Sequence, residues 1–470
     1  MGTLIAVALS ACAYYLSIGL GEFWPAAWVA PIPILFVAFH APWRTAAVAA
    51  FAAYFLGSLN LFTYLAMVIP IPLAIAALAV PALIYAGAAL VARYAVRRLP
   101  PWAATFAFPA AWTSYEFLFS RVSPHGTAMS LAYSQTDVLP LLQIVSITGL
   151  WGLTFIVTLV PSAIAVAWSR RSVAALGPAL VVICVVLGCG IVRLQTAPQQ
   201  PDVRVGLAAT DRGVEAAFET SNPAEALSVA YAYASRISRL AAEGAQVVAL
   251  PEKLVGVMPA DADAIQQIFS DAAGAANVTV IAGFNRFTPA PPRNVAAVFA
   301  PGGRLILEYL KHHMLPGPET GYQIGAAPGL FQGPSQPGVP WGVAICKDMD
   351  FPAWSRAYGQ RGVRLMAVPA WDFVRDARLH SRMAVVRGVE DGFTMARAAQ
   401  QGFLTFSDAY GRIRAETPSS HVPEALLVAN VPLGPGATLY TRFGDWFGWL
   451  CVLALAGLAG SGLRRVAASY

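Results

Sequence analysis

A multi-spanning α-helical membrane domain that carries an exoplasmic α/β domain is the architecture expected of this chain, on three grounds. Its composition is 57% hydrophobic and only 12% charged, far from that of a soluble globular protein. Its charges are segregated, because residues 1–192 hold only Glu22, Arg44, Arg93, Arg97, Arg98, Glu116, Arg121, Asp137, Arg170 and Arg171. Beyond Val192 the pattern changes to short β-rich runs alternating with Ala-rich helical stretches. The expected organisation is therefore a membrane domain over 1–192, an α/β domain over 193–445, and a last span with a cytoplasmic tail over 446–470.

An apolar helix needs roughly 20 residues to cross ~30 Å of hydrocarbon. Seven runs of that order precede the α/β domain, at about 3–20, 24–40, 45–69, 71–91, 102–119, 139–168 and 173–192, and an eighth covers about 446–463. Pro31, Pro33, Pro70, Pro72, Pro81 and Pro161 lie in or beside them, which membrane helices tolerate where neighbours re-satisfy the backbone. Basic residues in short loops favour the cytoplasmic side. With the N-terminus inside, the inner loops hold Arg44, Arg93, Arg97, Arg98, Arg170, Arg171, Arg464 and Arg465, and the outer ones only Arg121. That bias puts 193–445 on the outer face.

The α/β domain carries 22 basic and 22 acidic residues, so the net charge of +6 belongs to the membrane part and its tail. An even mixture of signs argues against a nucleic-acid partner, which needs a clustered basic face. Cys12, Cys184, Cys189 and Cys451 all lie in apolar stretches, which leaves Cys346 alone in the α/β domain and excludes a disulfide there. No metal or cofactor is expected: His312 and His313 are adjacent, which is not a chelating spacing, no cysteine cluster exists, and Gly302-Gly303 reads as a hairpin turn instead of a phosphate loop.

Three β-rich runs end in residues with chemistry. Val247 to Pro251 leads into Glu252, Leu305 to Leu310 into Lys311, and Gly342 to Ile345 into Cys346. Active sites of open α/β sheets gather at such ends. Of the 31 Lys and Arg residues only Lys253, Lys311 and Lys347 are Lys, and each stands at or beside one of these ends. A chain that otherwise uses Arg keeps Lys where a compact, tunable ammonium serves better than a planar guanidinium. A carboxylate, an ammonium and a thiol supply the base, electrostatic clamp and nucleophile of acyl transfer.

The order Glu252, Lys311, Cys346 resembles the Glu-Lys-Cys triad of the nitrilase, or carbon-nitrogen hydrolase, superfamily. Phe108 to Leu118, Tyr133-Ser134-Gln135 and Ile144 to Phe155 in the membrane part look like the apolipoprotein N-acyltransferase family. Asn294, Pro301 to Arg304, Tyr309, Lys311-His312-His313, Leu315-Pro316, Phe351-Pro352 and Asp372 fit the same pattern. The resemblance implies an αββα sandwich of nitrilase type on the periplasmic side of a bacterial inner membrane. It implies an acyltransferase that takes an acyl chain from a phospholipid, holds it as a Cys346 thioester, and passes it to the α-amine of a diacylated lipoprotein. Apolar arms toward the lipid are then expected at Leu254 to Met258, Phe351, Trp354, Trp371 and Phe373.

This sequence also departs from the family. Lys347-Asp348 follow the cysteine where Tyr-Glu is usual, and Lys347 is expected either to favour the thiolate or to face solvent. Gly317 to Tyr322 replaces the usual Phe-Gly-Glu-Tyr-Val-Pro, with Glu319 the best match to its functional Glu and Tyr322 beside it. Gly206 to Asp211 lacks the usual Gln-Gly-Asn strand end. Glu319, Lys347, Asp348, Tyr322 and Trp371 are the expected supporting or substrate-binding residues, whereas His380 and Glu390 read as satisfied structural groups. Two alternatives stay open: a membrane-tethered amidase or thioester hydrolase using the same triad, and a catalytically idle paralogue that binds lipoproteins.

Overall fold

The computed structural model describes residues 2–210, 222–287, 289–334 and 338–467, with side chains described to residue 459. Asp211 and the side chains of Arg464 and Arg465 lie outside the described set. Two compact units are present, Met1–Thr196 with Phe443–Tyr470, and Ala197–Arg442. The first boundary falls beyond Val192 because the helix Leu176–Gln195 runs on past it.

Among the described residues of the first unit four helices are long and apolar enough to cross a membrane: Trp43–Val68, Ile71–Arg98, Leu150–Arg170 and Val173–Gln195. The other expected spans are helical but include shorter pieces, such as Gly2–Ser17, Trp24–His40 and Ala107–Ser120. The run read as one span over 139–168 is broken, because Gly149 at φ 66° closes the turn Val145–Thr148 and a new helix starts at Leu150. Arg93, counted above as a loop residue, is buried within the helix Ile71–Arg98 and donates to the carbonyls of Ala38 and Ala41. It caps the end of Pro31–His40, supplying donors to carbonyls that have no partner within that helix. Glu116 is buried too, and accepts from Trp112 Nε1, Ser130 Oγ, Leu131 N and Thr154 Oγ1 at 2.6–3.0 Å. One carboxylate so ties two helices to the segment between them.

Among the described residues the second unit contains thirteen strands: β1 (Asp202–Ala209), β2 (Val247–Ala249), β3 (Val255–Val257), β4 (Thr279–Arg286), β5 (Arg293–Phe299), β6 (Leu305–Leu310), β7 (Gly329–Gln332), β8 (Pro340–Val343), β9 (Leu365–Trp371), β10 (Thr394–Gln400), β11 (Phe403–Ser407), β12 (Ile413–Pro418) and β13 (Ala425–Pro432). One sheet runs β13-β1-β2-β4-β5-β6, with β3 also on β4, and the other β12-β11-β10-β9-β8-β7. The strands at the centre of each sheet are parallel. Val205, Leu207, Val247 and Val298 of the first sheet share one core with Trp341, Val343, Leu365 and Phe406 of the second.

Helices cover both outer faces. Pro223–Ala242 and Ala262–Ala276 bury Tyr233, Ile237, Leu240, Ile265 and Phe269 against the first sheet. Pro352–Gly359 and Ala377–Asp391 bury Tyr358 and Ala384 against the second. Along β9 the period of two is visible, with Leu365 and Ala367 facing the inter-sheet core and Met366 and Val368 facing the helices. Covered on both faces, such strands read as unbroken apolar runs. The result is the αββα sandwich expected.

The arm expected at Leu254 to Met258 is not an arm. Leu254, Val255 and Val257 are buried under the helices of the first sheet, and β3 pairs in parallel with β4. Gly302-Gly303 does form the turn between β5 and β6, with Gly303 at φ 80° and its N–H on the carbonyl of Ala300 at 2.8 Å.

Candidate active site

Glu252 follows the end of β2 because Pro251 ends the strand and Gly283 of β4 lets the chain cross close by. A Cβ on Gly283 would lie 2.3 Å from the Pro251 carbonyl oxygen and 2.7 Å from Glu252 Cα. Leu254 N–H then bonds the Gly283 carbonyl at 2.9 Å, fixing the turn from both sides. Lys311 directly follows β6, its N–H donating to the Asn294 carbonyl at 3.0 Å. Cys346 follows β8 at φ 43°, a left-handed conformation that costs a non-glycine residue roughly 1–2 kcal/mol.

Asp348 holds that turn. It accepts from Ile345 N–H at 3.0 Å, Tyr309 OH at 2.6 Å, and the N–H groups of His312 and His313 at 3.2 and 2.8 Å. One buried carboxylate therefore pins the segment after Lys311 to the segment carrying Cys346. His312 and His313 finish the junction by stacking on Trp354 and Phe351, with centroids 3.7 and 3.6 Å apart.

The charged side chains converge. Lys311 Nζ lies 2.8 Å from Glu252 and 2.9 Å from Glu319, and Asn294 Nδ2 donates to the same two carboxylates at 2.6 and 2.7 Å. Lys253 Nζ, only 5% exposed, lies 2.6 Å from Glu319 and 5.1 Å from the centre of the Tyr322 ring. The Tyr322 hydroxyl donates to Asn285 Oδ1 at 3.0 Å. Burial alone would raise Glu319, but Lys311 and Lys253 hold it near 2. Burial alone would lower Lys311, but Glu252 and Glu319 raise it well above the ordinary lysine value. Lys311 stays charged.

Burial pushes the Cys346 thiol well up, Glu252 adds to the rise and Lys311 opposes it. The thiol donates to the Trp371 carbonyl at 3.5 Å. Trp371, expected as a lipid-facing ring, spends its indole N–H on Gln401 at 3.0 Å, so its carbonyl is the group that meets the sulfur. Lys347 does not face solvent: it is buried and bonds Asp350 at 3.4 Å, while Lys311 and Arg397 are the leading cations acting on the thiol. His380 sits between Asp376 at 3.1 Å and Asp350 at 3.5 Å. Burial would lower it, but the two acids raise it to about 10, making it a charged structural group.

Two contributors are not assigned by the sequence. Lys253 is conspicuous as one of three lysines but gains a role only in the fold, which brings Glu319 back to meet it. Arg397 binds Asp372 through both guanidinium nitrogens, at 2.9 and 2.5 Å, fully inside the domain. A lone charged residue, Arg397, in the fully buried strand Thr394–Gln400 is the available signal, because a buried guanidinium requires a buried acid.

Residues 10–163 match the model of the apolipoprotein N-acyltransferase N-terminal domain, and residues 213–434 match that of carbon-nitrogen hydrolase. The chain belongs to the apolipoprotein N-acyltransferase family. Apolipoprotein N-acyltransferase of Geobacter metallireducens is 28% identical over 76% of this chain and 74% of its own length. That of Shewanella oneidensis is 26% identical over 78% of this chain and 74% of its own. Among solved structures, an amidase from Nesterenkonia sp. is 20% identical, covering 50% of this chain and 93% of its own at a TM-score of 0.42. As a member of the apolipoprotein N-acyltransferase family, the chain is a bacterial membrane enzyme with a nitrilase-like domain.

Proposed function

We propose that this chain is an apolipoprotein N-acyltransferase in which Glu252, Lys311 and Cys346 do the chemistry. The reading rests on one observation: three residues far apart in sequence, each following a strand, share one buried electrostatic network in a member of this family.

Glu252 takes the proton of Cys346 as the sulfur attacks the ester carbonyl of a phospholipid acyl chain. The ammonium of Lys311 stabilises the oxyanion that develops, a donor held in place before the reaction begins. The intermediate collapses, the carbon–oxygen ester bond breaks, and the lysophospholipid alkoxide leaves with the proton from Glu252. The enzyme now holds a thioester. The α-amine of a diacylated lipoprotein attacks that carbonyl, gives its proton to Glu252, and expels the Cys346 thiolate, which takes the proton back. The two half-reactions form a ping-pong cycle. A lipid donor and a lipid-anchored acceptor reach one site by diffusion in the outer leaflet, in accord with an exoplasmic domain.

The test supplies phospholipid and a diacylated peptide together. N-acylated peptide with lysophospholipid is the expected product pair; free fatty acid with unmodified peptide would instead assign a thioester hydrolase, and neither product a binding protein.

A further inference from the structure

We infer that Lys253 is a fourth, positioning member of the reacting set, balancing the charge of Glu319 so that Lys311 is left to serve Glu252 and the oxyanion. The inference rests on the proposed function and adds to it a residue with no role there. Two carboxylates, Glu252 and Glu319, share Lys311 and Asn294. With Lys311 alone the cluster would hold two negative charges against one positive charge, and burying an unbalanced charge is costly enough that a proton is bound instead. Lys253, 2.6 Å from Glu319 and buried with it, supplies the second cation.

Its backbone suits that task. Lys253 sits at φ 50°, a left-handed conformation between Glu252 and the start of β3, and so its side chain reaches Glu319 although the residue directly follows the base. The ring of Tyr322 lies against the ammonium at 5.1 Å, and Tyr322 is itself fixed by Asn285. The other charges acting on the thiol, Asp372 and Arg397, form their own bidentate pair. They leave the balance of the four-residue cluster unchanged. This also accounts for the placement of two of the three lysines in the chain.

Removing the Lys253 charge should leave Glu319 without one of the two cations that lower it and make the field at Cys346 more negative. That field disfavours the thiolate and slows the nucleophile on the acid side. The measurement is iodoacetamide alkylation of Cys346 in the full-length protein, followed against pH by peptide mass spectrometry so that Cys12, Cys184, Cys189 and Cys451 do not contribute. For Lys253→Met the profile should move up by about one pH unit or more, with the rate at pH 7 down about tenfold or more. For Lys253→Met combined with Glu319→Gln, which restores one acid to one base, the midpoint should return to that of the wild type.

A Lys253→Met profile with the wild-type midpoint, or a double variant displaced as far as the single one, overturns the assignment. If the single variant does not fold and the double variant does, charge imbalance is the defect and the assignment stands. If neither folds, Lys253 serves packing and the assignment falls. Formation of a phospholipid-derived adduct in the same wild-type preparation separates the two claims: its absence counts against the proposed function, whereas the alkylation profile reads the charge balance either way.

Discussion

A thiol that burial keeps protonated cannot attack unaided, so the proposed mechanism places its first demand on Glu252. Glu252→Gln keeps the size and an acceptor but cannot take the proton, and Cys346 acylation should slow by roughly 10²- to 10⁴-fold. Lysophospholipid release in a single turnover measures it, and a loss under tenfold would move the base elsewhere. His380 makes a prediction about stability instead of rate. Its folded value of about 10 lies above 6.5, so its contribution is complete below about 6.5 and fades as pH rises toward 10. His380→Gln should therefore melt earlier than wild type at pH 6, with the gap closing by pH 9 to 10; a gap independent of pH contradicts the double ion pair. Glu319 runs the opposite way, stabilising above about 4.5 and losing that effect as pH falls toward 2.

Elements place these residues, and much of that placement is legible in the sequence. Val247 to Pro251, Leu305 to Leu310 and Gly342 to Ile345 are apolar and β-rich, so their ends stand out, and the structure puts Glu252, Lys311 and Cys346 just after β2, β6 and β8. Side-chain partnership is not legible, because it depends on contacts between distant segments. Lys347 borders Cys346 in sequence yet turns to Asp350, whereas Glu319 and Lys253 lie 66 residues apart and touch. The expectation at Leu254 to Met258 fails for a related reason: an apolar run beside a site is equally a buried strand or an exposed arm until its pairing is known. The close crossing at Gly283 sets a test at this scale. Gly283→Ala would press a methyl group into the backbone carrying Glu252, costing roughly 1–3 kcal/mol and shifting that side chain. Thermal melting and acylation should both fall; melting unchanged would mean that the crossing is looser than described.

At the scale of the whole molecule, composition alone divides the chain into its two parts, because a lipid-facing surface and a water-facing sandwich require different residues. The break at Gly149 and the burial of Arg93 are not legible in it, since hydropathy sums over a window and records neither a backbone kink nor a helix cap. Discounting Arg93 leaves the bias of basic residues toward the inner loops intact, and the expected topology has both termini inside. A fluorescent protein joined after Tyr470 should fluoresce, and a phosphatase active only in the periplasm should stay silent there; the reverse would put the sandwich in the cytoplasm. Most directly, the proposed chemistry requires an acyl group to reside on one sulfur. Wild-type protein incubated with phospholipid and no acceptor should gain one acyl mass on the peptide containing Cys346, labile to hydroxylamine and absent from Cys346→Ala. An adduct that persists in that variant, or that resists hydroxylamine, contradicts it.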